Sequence, residues 1–98
     1  MAVTAFLDLH LRDDAIAGAP AVLAETLKDT RAFAGCLGLE VLQDVADGAH
    51  LTVVERWESL QHDDAYRAWR ATPAGASRLG ELVAAPPVLT RYETQSEL

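Results

Sequence analysis

The sequence is short of cysteine, basic charge and aromatic rings, and the first two shortages each remove a class of function. A lone cysteine, Cys36, allows no internal disulfide and no cysteine-based metal site. Eight Lys and Arg against fifteen Asp and Glu leave a net charge of −7, which repels a phosphate backbone and argues against nucleic acid as a partner. The Ala-rich stretches are broken by Asp, Arg and Pro, so no apolar run is long enough to cross a membrane. The N-terminal MAVTAFLDLHLRDD has neither the basic segment nor the unbroken apolar core of a secretory signal, and a cytoplasmic location is expected. No HExxH or HxxxH spacing, nucleophilic triad or glycine-rich phosphate loop is present, and no metal site is expected.

Half of the 98 residues are hydrophobic, which suits one folded domain over residues 1–98, with a polar tail from about 95. A chain of this size buries roughly 60–70% of its unfolded surface, so association with a second copy would help cover apolar faces. Val3, Ala5, Leu7, Leu9 and Leu11 alternate with Thr4, Phe6, Asp8, His10 and Arg12, the period-two pattern of a strand. Gly18 and Pro20 open a helix through APAVLAETLKDTRAF, with Val22, Leu23 and Leu27 in its buried stripe. Leu37–Gln43 and Leu51–Trp57 read as a hairpin around DVADGAH, with Leu37, Leu39 and Val41 sharing a face. Ser59 caps a helix over Leu60–Ala71, a shorter helix is expected over Ala76–Val83, and Leu89–Thr94 forms a last strand.

The order βαββαβ and the handedness of connections predict an α+β, ferredoxin-like fold: a four-stranded antiparallel sheet with helices on one side. Leu7, Leu9, Leu39, Val41, Val53 and Trp57 then face the helices. Phe6, His10, Glu40, Leu42, Thr52, Val54 and Arg56 fall on the other face, which is too apolar to be wholly solvated. A homodimer with the two sheets packed face to face is therefore expected.

Three of the six aromatic rings, Trp57, Tyr66 and Trp69, lie within ERWESLQHDDAYRAWR, and the helical spacing puts His62 on the same stripe. The rings either fill a corner of the core or line a pocket for a flat guest. Ala65, Ala68 and Ala71 beside them, and the polar atoms of the phenol and indoles, point to a pocket. Asp63 and Arg67, four apart, read as a surface ion pair of little consequence. Glu55 shares a side with Val53 and Trp57, as a pocket acid or an edge residue. His10 and His50 read as exposed or interfacial, and Cys36 as a small core residue.

TRAFAGCLGLEV, VVERWES and AYRAW with TP after it, in this order, resemble the antibiotic biosynthesis monooxygenase family. The resemblance runs from about Val3 to Tyr92. It implies a ferredoxin-like dimer, the dimeric α/β barrel, and frequently oxygen chemistry with no cofactor. In members that oxidise polycyclic polyketides to quinones, a tryptophan ending strand three and a tyrosine on the next helix line the pocket, matching Trp57 and Tyr66. The asparagine four residues before that tryptophan is here Val53, and the nearest counterpart of a pocket arginine is Arg78. Haem-degrading members have a histidine just ahead of the TP segment, where Trp69 stands here, which argues against haem.

The resemblance thus implies a cofactor-free monooxygenase acting with O2 on an aromatic, polyketide or quinol-like molecule. In that scheme Trp57 and Trp69 form the slot, with Val53, Glu55, Arg78 and Leu39 around it; Tyr66 binds the oxyanion and His62 is the base. A non-catalytic or stress-responsive binding protein of the same fold and an isomerase or cyclase remain alternatives.

Overall fold

The computed structural model describes all 98 residues, Met1–Leu98. Four strands and two α-helices follow in the order β1 (Val3–His10), α1 (Ala19–Ala32), β2 (Cys36–Asp44), β3 (Asp47–Trp57), α2 (Leu60–Arg70) and β4 (Val88–Glu93). The sheet runs β2-β3-β1-β4, and every adjacent pair is antiparallel, as the ferredoxin-like expectation requires. Val3 pairs with Trp57, Leu7 with Val53 and Leu9 with Leu51, so the apolar alternation of β1 and β3 falls on one face.

That face meets α1, whose buried positions Ala19, Leu23, Thr26, Leu27 and Thr30 recur at helical spacing. Leu9, Leu11, Leu23, Leu27, Leu51, Val53 and Leu82 make the main core. Val3, Ala5, Trp57 and Tyr66 form a second cluster, against which Phe33, Cys36 and Trp69 pack. Ser59 caps α2 as its sequence position predicts, its Oγ accepting from the His62 backbone N–H.

Three local expectations fail, each for an identifiable reason. No α-helix forms over Ala76–Val83; two single 3-10 turns, Pro73–Gly75 and Leu79–Glu81, stand in its region. Too few apolar residues recur there to bury a full stripe, and Leu82 alone is deeply inserted. The hairpin strands are longer than expected, because Asp47–His50 continue β3 and leave only Val45 and Ala46 as the turn. The third failure is Leu37, which does not share a face with Leu39 and Val41. The register shifts between Cys36 and Gly38, leaving Leu37 on a bulge and exposed.

All helices lie on one side of the sheet, and the opposite side carries Phe6, Val54, Glu40, Leu42, Thr52 and Arg56 as predicted. Phe6 meets Tyr92 edge to face, with ring centroids 5.5 Å apart. At one end of the same face His10 stacks on His50 at 4.5 Å. The two nitrogens of His50 contact Asp44 Oδ2 and Asp8 Oδ1, each at 2.9 Å. Those hydrogen bonds raise the His50 pKa, Asp44 contributing most, and His50 holds the Asp44 carboxyl below its usual range. Asp8 is held down first by the Thr52 hydroxyl, which donates to it at 2.7 Å, and then by His50.

Candidate active site

A cavity of about 210 Å³ opens between the sheet and the helices. Leu7, Val53 and Glu55 form its floor, Leu23, Thr26 and Leu27 of α1 one wall, and Tyr66, Arg67 and Arg70 of α2 the other. Ser77, Leu79 and Pro87, from the irregular segment after α2, close the remaining side. An apolar enclosure with a few converging polar groups has the general make-up of a small-molecule site. A larger open groove of about 450 Å³ lies between α1 and the β2–β3 hairpin. Its lining is mostly apolar and brings no set of polar groups together, so chemistry is better placed in the smaller cavity.

Glu55 organises the floor. It is 1% exposed, and its Oε1 accepts from Trp57 Nε1 at 3.2 Å and from Arg67 Nη2 at 2.6 Å. The Trp57 donor is available because β3 turns Glu55 and Trp57 to the same side, two residues apart, and Arg67 reaches the carboxylate from α2. Arg67 also lies 2.9 Å from Asp63 through Nε, an ion contact whose angle falls short of a hydrogen bond. Asp63 is completely buried, and its other oxygen faces Arg91 of β4 at 3.4 Å. The Asp63–Arg67 pair is thus part of a buried network joining sheet, helix and last strand, not a surface pair. Its burial was hidden in the sequence because Arg91 and Glu55 come to it from other elements.

A second network surrounds the Tyr66 hydroxyl. Arg70 donates from Nε to Tyr66 Oη at 2.7 Å, and Thr30 Oγ1 lies 2.6 Å from that oxygen. Arg70 Nη2 also donates to Thr26 O at 2.8 Å and Thr30 Oγ1 at 3.1 Å, and Nη1 to Gly75 O at 3.2 Å. Thr30 Oγ1 in turn donates to Thr26 O at 3.5 Å. Tyr66 Oη accepts from Arg70, and it shares with Thr30 Oγ1 a hydrogen bond that either hydroxyl can donate. The guanidinium carbons of Arg67 and Arg70 lie 5.0 and 5.1 Å from the Tyr66 ring centre, within cation–π range.

The 73-residue span 3–75 matches the family model described as antibiotic biosynthesis monooxygenase, about three quarters of the chain. The chain belongs to the antibiotic biosynthesis monooxygenase family. A search of the curated proteins found no match. Among solved structures, Rv0793 from Mycobacterium tuberculosis is 25% identical, with a TM-score of 0.78 over 96% of this chain and 95% of that one. A conserved protein from Methanosarcina mazei Go1 is 15% identical, with a TM-score of 0.82 over 97% and 94% of the two chains. A structure described as an antibiotic biosynthesis monooxygenase is 16% identical, with a TM-score of 0.78 over 94% and 97%. At those last two identities the likeness shows the fold.

Within this family member the residues singled out from sequence divide into three groups. Val53, Glu55 and Tyr66 line the cavity together. Trp57 and Trp69 stand behind it. The Trp57 and Tyr66 ring centres are only 4.9 Å apart, and Phe33 packs edge-on against both, so no hollow separates indole from phenol. Ala65, Ala68 and Ala71, expected to leave room beside the rings, are on the solvent side of α2. Trp69 lies against Phe33 and the Gly75 backbone, where a Cβ on Gly75 would overlap the Trp69 carbonyl oxygen.

His62, Arg78 and Leu39 lie outside the cavity. The His62 ring sits on Gly35, whose φ of 88° only glycine adopts readily, and its Nδ1 meets Ser59 Oγ at 2.7 Å. It therefore fastens the loop before β2 to the start of α2 and is not part of the cavity lining. Arg78 is exposed and paired with Glu81 at 3.3 Å, and Leu39 packs against the main core. Burial pushes the partly buried Cys36 thiol up, away from nucleophilic use near neutrality. Sequence reasoning missed Arg67 and Arg70 as site residues. Their signal was the spacing Asp63, Tyr66, Arg67, Arg70, which puts two cations beside the one phenol of α2.

Proposed function

We propose that the protein is an oxygenase of small phenolic or quinol-like molecules, with the substrate itself supplying electrons to O2. The cavity beneath α2 carries this reading: leucines and Val53 take an aromatic body, while Arg67, Arg70 and Tyr66 Oη meet its oxygen substituents. At about 210 Å³ it falls below the roughly 300–1,000 Å³ of cavities for drug-sized ligands, favouring one or two rings over a polycyclic polyketide. The lining offers no imidazole or thiol and one carboxylate, Glu55, already bonded to Arg67 and Trp57.

In the reaction proposed, a phenol loses its O–H proton and the ring transfers electrons to O2. A C–O bond forms at the para carbon, the O–O bond breaks, and the para C–H becomes C=O. One oxygen atom is retained in the quinone and the other leaves as water with two hydrogens, so phenol plus O2 gives quinone plus water. The protein orients the ring, stabilises the oxygen anion and excludes bulk water. Purified protein is expected to consume one O2 per quinone formed from 1-naphthol, with the rise of quinone absorbance following the oxygen trace. Saturable naphthol binding with no oxygen uptake would instead favour a binding protein of this fold.

A homodimer is proposed with it. The sheet face away from the helices presents Leu42, Val88 and Tyr92, each about half exposed, around Phe6 and Val54. A second copy of the same face would cover them. Sedimentation at micromolar concentration is expected to give twice the monomer mass, and a monomer there would remove the proposal.

A further inference from the structure

We infer that the cavity selects the deprotonated, anionic form of an aromatic ligand, with Arg70 as the residue that sets this preference. The inference rests on the cavity being the ligand site and deepens the reading above by naming the ionisation state of the guest.

Arg70 touches Tyr66 Oη, Thr26 O, Thr30 Oγ1 and Gly75 O, and none of these partners is a carboxylate. The neighbouring cation differs. Arg67 is matched by Glu55 at 2.6 Å and by Asp63 at 2.9 Å. Two guanidiniums and one carboxylate therefore line the cavity, which leaves it one positive charge in excess. Asp63 lies behind Arg67 and is shared with Arg91, outside the lining. Glu25 and Asp29 of α1 border a depression of about 90 Å³ that Arg70, Thr26, Ser77 and Arg78 also line. Both are exposed, where water weakens their pull on Arg70, and Arg78 adds a cation there.

A partly buried cation satisfied only by neutral acceptors attracts a negative charge more strongly than one already paired. Donors are also in place. Arg70 uses four of its five N–H groups on those acceptors, and Arg67 uses Nη2 on Glu55 while its Nε makes only the poorly angled contact with Asp63, so Nη1 of each retains at least one hydrogen outside these bonds. The rest of the molecule works against adventitious anion binding, since its net charge is −7. Positive charge is concentrated where the apolar walls meet. A phenolate or an aromatic carboxylate fits that pattern, and stabilising the phenolate would ready it for electron transfer without any protein base.

The test uses the intact protein and 4-nitrophenol, whose phenolate absorbs visibly and whose neutral form does not. The apparent ionisation midpoint of the bound phenol is expected at least one pH unit below that of the free compound, a tenfold preference for the anion. In competition, benzoate should displace the phenol at least tenfold better than benzyl alcohol, which separates carboxylate from neutral recognition. Arg70→Gln should abolish both preferences, and Arg70→Lys should keep part of them. Arg70 also ties α2 to α1, so circular dichroism checks the variants, while the wild-type titration stands without them. A bound phenol that titrates as it does in solution, benzyl alcohol competing as well as benzoate, or no saturable binding of any of these probes at millimolar concentration would each overturn the inference. Anion selectivity without oxygen uptake would retain it and remove the oxygenase reading; oxygen uptake with neutral preference would do the reverse.

Discussion

Replacing Glu55 with Ala would leave the Trp57 indole N–H without an acceptor and Arg67 with only its poorly angled contact to Asp63. Removing one partner of a buried pair typically costs about 3–5 kcal/mol, and the remaining Asp63 contact places Glu55→Ala near the lower end, readable by urea denaturation. Trp57→Phe loses one hydrogen bond to a charged group and leaves unfilled part of the space of the fully buried indole, so a loss of at least about 1.5–3 kcal/mol is expected with ligand affinity little changed. That prediction reverses what the sequence alone suggested for Trp57. The pattern on β3 correctly told which way the indole points, but not that Phe33, from the end of α1, fills the space in front of it. Gly75→Ala addresses a different constraint: the new methyl would overlap the Trp69 carbonyl, and overpacking of this kind costs about 1–3 kcal/mol.

Among the elements, α2 was the most legible and the segment after it the least. Ser59, the first-turn Asp63 and the basic last turn spell out a helix with both ends specified, and the structure begins and ends it within a residue of expectation. Ser59→Ala should cost at least the ~1 kcal/mol of a lost cap, measured as a lowered midpoint of thermal or urea unfolding. The effect should exceed that of a cap alone, because Ser59 Oγ also holds the His62 ring over Gly35. After Arg70 the sequence offers two prolines near Val88 and scattered leucines. Its conformation is set by distant partners: Arg12 N–H donates to Leu82 O and Ala84 N–H to His10 O. Contacts of that kind leave no local periodicity to read. The site suffered the same limitation, since Thr26 and Thr30 look like surface positions of α1 until Arg70 and Tyr66 are placed beside them.

For the whole molecule, the long-range order of the sheet followed from the six-element pattern, whereas its charge organisation did not. Asp8, His50 and Asp44 come from three strands and meet at the end of the uncovered face, beside the His10 ring. The raised His50 pKa gives stability present below the ordinary histidine value of 6.5 and lost as pH climbs through the folded value. The lowered Asp8 and Asp44 values give stability present above the ordinary carboxyl value of 3.8 and lost as pH falls through the folded ones. The cluster thus contributes most between roughly pH 4 and 6.5. Melting temperature of the wild type should fall as pH rises above about 6.5, and that decline should be smaller in His50→Gln.

The two outer strands have a consequence of their own. An antiparallel sheet with free margins invites its neighbours to add strands, the route by which such proteins gel or form fibres. One margin here is broken by the irregularity at Leu37 and Gly38, and the other is six residues long with Arg91 and Glu93 along it. Lateral growth finds no straight template on either side, so concentrated solutions of the protein should remain clear and give no thioflavin signal on standing.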